Sequence, residues 1–161
     1  MQSAGFDYRS LIISDLPDIQ EMYQLLTAES ENPMIALSEN QTTVRWHLRK
    51  IRQQLIIEER YVAVLALAAG EKVGYCAGYV DPLGAVFRAS ERASISELYV
   101  RGEYRRQGVG ETLLREVVQR FARRGIEWVE LTVPENSKAA RKIAQRNGFG
   151  MTSHVMHQRL N

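Results

Sequence analysis

The sequence predicts an α/β fold in which a mixed central sheet is flanked by helices. Three observations lead there. Apolar runs of strand character ("YVAVLALAA", "VGYCAGYV", "RASISELYV", "IEWVELTV") alternate with segments whose apolar residues recur at helical spacing. Their order reads β-α-α-β-β-β-α-β-α-β, a mixture that packs helices on both faces of one sheet. The 161 residues, 45% apolar and 25% charged, suffice for one core without covalent staples, so a single domain over residues 1–161 is expected.

Each element has its own signal. "YRSLIISDLPDIQEMYQLL" reads as a short strand and then a helix, with Asp15 placed to cap, Pro17 at an early helical position, and Ile19, Met22, Tyr23 and Leu26 on one face. "ENPM" breaks that helix. A second helix is expected between Glu39 and Glu59, with Val44, Leu48, Ile51 and Leu55 as its stripe. His47 neighbours the stripe and reads as a structural or surface histidine; Trp46 beside it reads as core or interface packing. "YVAVLALAA", the turn "GEK" and "VGYCAGYV" form a hairpin, in which Gly74 and Gly78 mark a bulge or a close approach. "DPLGAVFRASE" is a loop. In "RASISELYV", regular pairing sets Ile95, Glu97 and Tyr99 opposite Ser96, Leu98 and Val100.

A helix from Gly110 to Arg124 follows, carrying Leu113, Leu114, Val117, Val118 and Phe121 inward, with Gly125 as its C-cap. "IEWVELTV" is a strand with Val129, Leu131 and Val133 on one face, and Trp128 at its start reads, like Trp46, as core or interface packing. "SKAARKIAQRN" is a helix ended by Gly148, and "MTSHVMHQRL" supplies a closing strand. His154 and His157 face opposite ways on that strand and read as surface or packing residues.

Composition narrows the function classes. A lone cysteine, Cys76 in an apolar run, excludes a disulfide framework and reads as a buried inert thiol. No CxxC, HExxH or spaced Cys/His set suggests zinc. A net charge of +2 does not suggest a nucleic-acid binder. Neither a signal peptide nor a span of about 20 apolar residues is visible, so no membrane association and a cytoplasmic location are expected.

The charge is nevertheless uneven. Arg101, Arg105 and Arg106 lead into the stretch "RRQGVG", at a strand-to-helix junction. A helix start offers N–H groups without intrahelical partners, and its dipole favours negative charge. Gly108 and Gly110 let the backbone approach a ligand closely, and Arg105 and Arg106 can add charge-assisted contacts. The physics reaches an anion, with phosphate as the natural guest; a tight turn with solvent-facing arginines is the plain alternative. GxxxxGK[ST] is missing, and "GVGETL" falls short of a dinucleotide fingerprint.

With its surroundings, this junction resembles the GCN5-related N-acetyltransferase superfamily. The likeness lies in "ELYVRGEYRRQGVGETLLREVVQRFARRGIEWVELTVPENSKAARKIAQRNGF", where Arg105, Gly108 and Gly110 fill the family's signature positions. Val100, Tyr104, Leu113 and Leu114 match the flanks, and Gly102 replaces the usual proline. The resemblance implies an acyl-CoA N-acyltransferase-like fold and acetyl-CoA as acyl donor. The diphosphate would be held by N–H groups running through Arg106, Gln107, Gly108, Val109 and Gly110, and the pantetheine arm by backbone bonds around Leu98 and Val100. It also implies that this strand splays from "WVELTV", and that an N–H near Tyr99 or Val100 supports the acetyl oxygen.

An amine then attacks directly, without a covalent enzyme intermediate, and needs a base. Glu97 is the first candidate, with Tyr99 as a substrate contact or proton donor. Glu130 is less suited, and Thr132 fills a place where some relatives carry a base. The family's usual tyrosine is replaced by Ala144, and its usual asparagine falls at Ser137 in ungapped register, with Asn136 one position early. Asn136 is taken as a pantetheine contact; Ser137 can equally cap the helix. The acceptor is a primary amine of a small molecule or peptide, received by the two early helices and the "DPLGAVFRASE" loop, with Glu29 and Glu31 placed to attract a cation. A homodimer through the closing strand, a CoA-binding regulatory module and transfer of a longer acyl chain complete the expectations.

Overall fold

The computed structural model describes residues 5–29, 41–56, 60–85 and 89–153. In chain order it contains β1 (Phe6–Ser10), α1 (Leu16–Ala28), α2 (Gln41–Ile56), β2 (Tyr61–Ala68), β3 (Glu71–Pro82), β4 (Glu91–Val100), α3 (Val109–Arg123), β5 (Val129–Leu131) and α4 (Lys138–Arg146). These form one sheet ordered β1-β2-β3-β4-β5. The first four strands are antiparallel neighbours; β5 runs parallel to β4, reached through α3. The order anticipated from sequence therefore holds through α4. The expected closing strand, with His154 and His157, falls mostly outside the described residues, as do Glu31 and the "ENPM" break.

Two apolar layers clasp the sheet. Val62, Val64, Ala66, Cys76, Ala93 and Ile95 pack with Leu113, Leu114, Val117 and Phe121 of α3. On the opposite face Ala63, Leu65, Tyr75 and Tyr99 pack with Ile19 and Met22 of α1 and Ile51 of α2. Burial on both faces is why "YVAVLALA" is an unbroken apolar run rather than an alternating one. Gly125 and Gly148 take positive φ after α3 and α4, and the N–H groups of Ile126 and Phe149 reach back to Phe121 and Ala144 as helix-ending bonds.

Gly74 and Gly78 are sites of close approach, as expected. A Cβ on either would stand 2.7 Å from a carbonyl oxygen of β4, Tyr99 O or Ser94 O. The register also jumps here: Ala77 faces Glu97 but Gly78 faces Ile95, leaving Ser96 as the extra residue of a bulge. That bulge corrects the regular alternation read from the sequence. Ile95 packs on the α3 side, whereas Glu97 and Tyr99 turn to the α1/α2 side.

Other expectations are corrected as well. Trp46 and Trp128 are exposed rather than in the core, at 62% and 64%. β5 ends at Leu131, so Val133 lies beyond the strand. Pro82 and Glu91 extend β3 and β4 into the stretch read as loop. Asp15 occupies the N-cap position of α1 without a capping hydrogen bond. Its carboxylate instead accepts from both Arg9 nitrogens at 2.7 and 2.8 Å and from the Ile12 N–H at 2.9 Å, with Lys72 Nζ at 3.1 Å. Burial alone would raise this carboxyl; the Arg9, Ile12 and Lys72 contacts outweigh it and hold the group far below the usual carboxylate range.

Candidate active site

The site begins where β4 runs past β5. Among the described residues β4 and β5 pair only over Ala93–Ile95 with Val129–Leu131, so from the bulge onward β4 has an edge that no described strand covers. The Arg101 N–H bonds to Val73 O on β3. Strand alternation then points the main-chain groups of Tyr99 toward β3 and those of Leu98 and Val100 toward that edge. The N–H offered to an incoming group is thus that of Leu98 or Val100, not Tyr99. The side chains of Leu98 and Val100 pack on the α3 layer.

A short 3₁₀ turn at Gly102–Tyr104 leads from this edge to the loop before α3. Tyr104 fixes the turn by donating to Glu71 at 2.9 Å and meeting Phe6 edge-on. Arg106 and Gly108 both have left-handed backbone, with φ of 60° and 82°. Arg106, Gln107 and Gly108 are exposed, while Val109 is buried and pins the helix start to the core. The first α3 hydrogen bond is Thr112 N–H to Gly108 O, so the N–H groups just before Thr112 are those a helix start leaves for a ligand. Left-handed residues interrupting such a turn cup successive N–H groups into an anion-binding concavity. A Cβ on Gly110 would meet Val100 Cγ2 at 3.5 Å and Ile143 Cδ1 at 3.6 Å, ordinary contacts. α3 therefore seats closely on β4 and α4, and the residues of the loop suit a diphosphate.

Arg105 turns back instead of leaning over the loop. Its Nε donates to Val100 O at 2.8 Å, a terminal nitrogen donates to Glu29 at 2.6 Å, and the guanidinium lies over the Tyr99 ring at 5.5 Å. Glu29, anticipated as a lure for a cationic substrate, thus has a cation already. Asn136 sits exposed in the turn between β5 and α4, its carbonyl accepting the Lys138 N–H at 3.0 Å. Ser137 is at the N-cap position of α4 but makes no side-chain capping bond. Ala144, in the family's tyrosine position, is buried. Glu130 is exposed and bound to Arg92 at 2.5 Å.

Glu97 is enclosed. It is 8% exposed, accepts from the Tyr75 hydroxyl at 2.7 Å, and has His47 Nε2 at 3.2 Å from its other oxygen. Burial first, and the Glu97 charge second, push the Tyr75 and Tyr61 hydroxyls well above the ordinary tyrosine value. Burial likewise raises the Tyr99 hydroxyl, with Glu29 adding to it and Arg105 opposing. The structure brings Glu97 and Tyr99 to one face, next to this edge, and turns Glu130 to Arg92. Sequence reasoning missed the role of His47 as a neighbour of Glu97. The signal existed: positions 44, 47, 48 and 51 are one helical stripe, so His47 lies on the buried face rather than beside it.

Among the described residues no helix is long and apolar enough to cross a membrane, and no cluster of metal-ligating side chains occurs. A family model described as the acetyltransferase (GNAT) family matches residues 19–149. A comparison with curated proteins returned no match. Among solved structures, AAC(6')-Iy in complex with the bisubstrate analog CoA-S-monomethyl-acetylneamine superposes with a TM-score of 0.76 at 16% identity, covering 98% of this chain and 99% of that one. A predicted acetyltransferase from Clostridium acetobutylicum, with acetyl-CoA, gives 0.74 at 16% identity over 96% of both chains. An aminoglycoside acetyltransferase from an uncultured soil metagenomic sample, in complex with sisomicin, gives 0.70 at 22% identity over 97% of this chain and 95% of that one. At such identities the likeness is one of fold.

Proposed function

The chain belongs to the acetyltransferase (GNAT) family, and we propose that it transfers an acetyl group from acetyl-CoA directly to a primary amine of a small molecule or peptide. The observation that carries this reading is the continuity of this β4 edge with the left-handed loop opening α3. A thioester lying along that edge would have its diphosphate at the loop and its acyl end at the Ser96 bulge, beside Glu97.

Acetyl-CoA supplies an activated acyl carbon; the chain supplies position and charge. N–H groups of Arg106 through Gly110 hold the diphosphate, while Leu98 and Val100 bond the pantetheine arm through their main chains. The Leu98 N–H, the edge-facing donor nearest the bulge, faces the oxygen on which negative charge develops. Because Val100 O already accepts from Arg105, Arg105 shapes the edge rather than gripping phosphate, and Arg106 is the arginine left for that contact. Glu97 takes the proton from the incoming ammonium, which is no nucleophile until it loses one. Tyr99, buried and kept protonated, contacts the acceptor or donates toward the departing sulfur. Asn136 is retained as a contact to the pantetheine arm.

The solved neighbours named for aminoglycosides make an amino sugar a sensible member of the test panel. CoA binding by calorimetry and thiol release on aminoglycosides, polyamines and small peptides test the reading. CoA affinity together with turnover on at least one amine, lost in Glu97→Gln, is the expected result. An absence of CoA affinity refutes it. Affinity without turnover of acetyl-CoA or longer acyl-CoAs leaves only a CoA-binding module.

A further inference from the structure

Acetyl transfer to an ammonium sheds two protons: one ends on the thiol sulfur, and the other must reach solvent. Glu97 can accept that second proton but is itself almost cut off from water, at 8% exposure. The groups on its face of the sheet come from every neighbouring element, Tyr61 from β2, Tyr75 from β3, Tyr23 from α1 and His47 from α2, while Cys76 of β3 feels its charge from the α3 side. Burial above all, reinforced by the Glu97 charge, keeps the three tyrosine hydroxyls and the Cys76 thiol protonated. None of them has room for another proton. An imidazole does.

The geometry around His47 is built. Its ring stacks on Tyr23 with centroids 3.6 Å apart and planes within 10°. Its buried Nε2 stands 3.2 Å from Glu97 Oε1, close but out of line for a hydrogen bond, and has no hydrogen-bond partner among the described residues. The row of the sheet beneath is Ala63, Ala77 and Glu97; the alanines leave the headroom that the imidazole needs. Tyr75 holds the other carboxylate oxygen, so Oε1 alone is turned to His47. The histidine stands on α2, an element with a solvent face, and its side chain is 11% exposed although Nε2 itself is buried.

We propose that His47 is the proton outlet of the site, a relay residue that stands over Oε1 of Glu97 and empties it after each turnover. This rests on the reading of Glu97 as the base. In the step, an ammonium N–H bond breaks and a Glu97 O–H bond forms. That O–H proton then passes to Nε2, giving an imidazolium, which loses its Nδ1 proton to water; proton exchange then returns the ring to the tautomer with Nε2 unprotonated, restoring the original state of the pair. No electrons change hands.

The test compares wild type with His47→Gln, His47→Phe and Glu97→Gln, using kcat and KM against pH, CoA affinity and urea unfolding. His47→Phe preserves a ring on Tyr23, so it separates stacking from proton transfer. Both His47 variants should bind CoA and hold KM as wild type does. Their kcat should fall about 10- to 100-fold, and the shape of the pH profile should change, which a purely structural role would leave as it is. Added imidazole should restore turnover in a His47→Ala variant, where the place of the ring is vacant, and not in His47→Phe, whose ring fills it. A urea double-mutant cycle, which needs no substrate, should find His47→Gln and Glu97→Gln non-additive. Wild-type kcat and pH profile in the His47 variants, or a loss that imidazole does not repair in His47→Ala and that tracks unfolding, overturns the outlet. If Glu97→Gln retains kcat, the base assignment itself has failed; if it alone loses kcat, only the outlet has failed.

Discussion

Gly108 and Gly110 look interchangeable in "RRQGVG", but the structure separates them. Gly108 has a φ of 82° and nothing within 4 Å of the place where a Cβ would be. Its requirement is conformational: an L-residue in the left-handed region costs about 1–2 kcal/mol. Gly110 lies inside α3, and an added methyl would meet Val100 and Ile143 at 3.5 and 3.6 Å, which is ordinary contact. Alanine there gains up to about 1 kcal/mol of helix propensity. In a protein of this size 1 kcal/mol moves the melting temperature by about 2–4 °C. Gly108→Ala should therefore melt about 2–8 °C below wild type, and Gly110→Ala at or slightly above it. Circular dichroism melts measure this, and CoA calorimetry adds the functional half. Gly108→Ala should weaken CoA by bending the N–H cup, whereas the Gly110→Ala methyl points away from it into the β4–α4 seam. Equal melting temperatures, or a Gly110→Ala that falls with Gly108→Ala, would refute the reasoning.

Asp15 should govern part of the acid sensitivity. Its folded-state carboxyl titrates below its unfolded value, near 3.9, so its contribution is present above about pH 4 and fades as pH drops toward the folded value. Urea midpoints measured down the acid range should fall more steeply for wild type than for Asp15→Asn; parallel curves would contradict the Arg9–Asp15–Lys72 account. Cys76 is fully enclosed in the α3 layer, and burial raises its thiol far above the ordinary value. A chromogenic thiol reagent should react with it only in denaturant, at the rate of unfolding, and rapid labelling of the native protein would show the sheet to be open there.

Much of the fold was legible because its signals are local. The unbroken apolar run of β2, the stripe Leu113, Leu114, Val117 and Phe121, and glycines ending α3 and α4 each depend on neighbours close in sequence. The junction before α3 was legible for the same reason, since a strand, two glycines and an amphipathic run lie within one short stretch. The partners of Glu97 were not. His47 and Tyr75 are 50 and 22 positions away, and nothing at either position announces the other. Trp46 and Trp128 misled because residue type argues for burial, while the outer face of α2 and the short β5 leave both uncovered.

By itself, then, the sequence determined the order of elements through α4, the α3 core stripe and a glycine-bearing turn at the strand-to-helix junction, all properties of short stretches. The tertiary structure decided which way Glu97 points. A regular β4 would have set its carboxylate on the same face as Ile95, among the apolar side chains of α3. One extra residue, Ser96, reverses the strand's parity and delivers the carboxylate to His47 and Tyr75. A bulge arises from how β4 meets the glycine-thinned β3, so it becomes visible only once the two strands are paired.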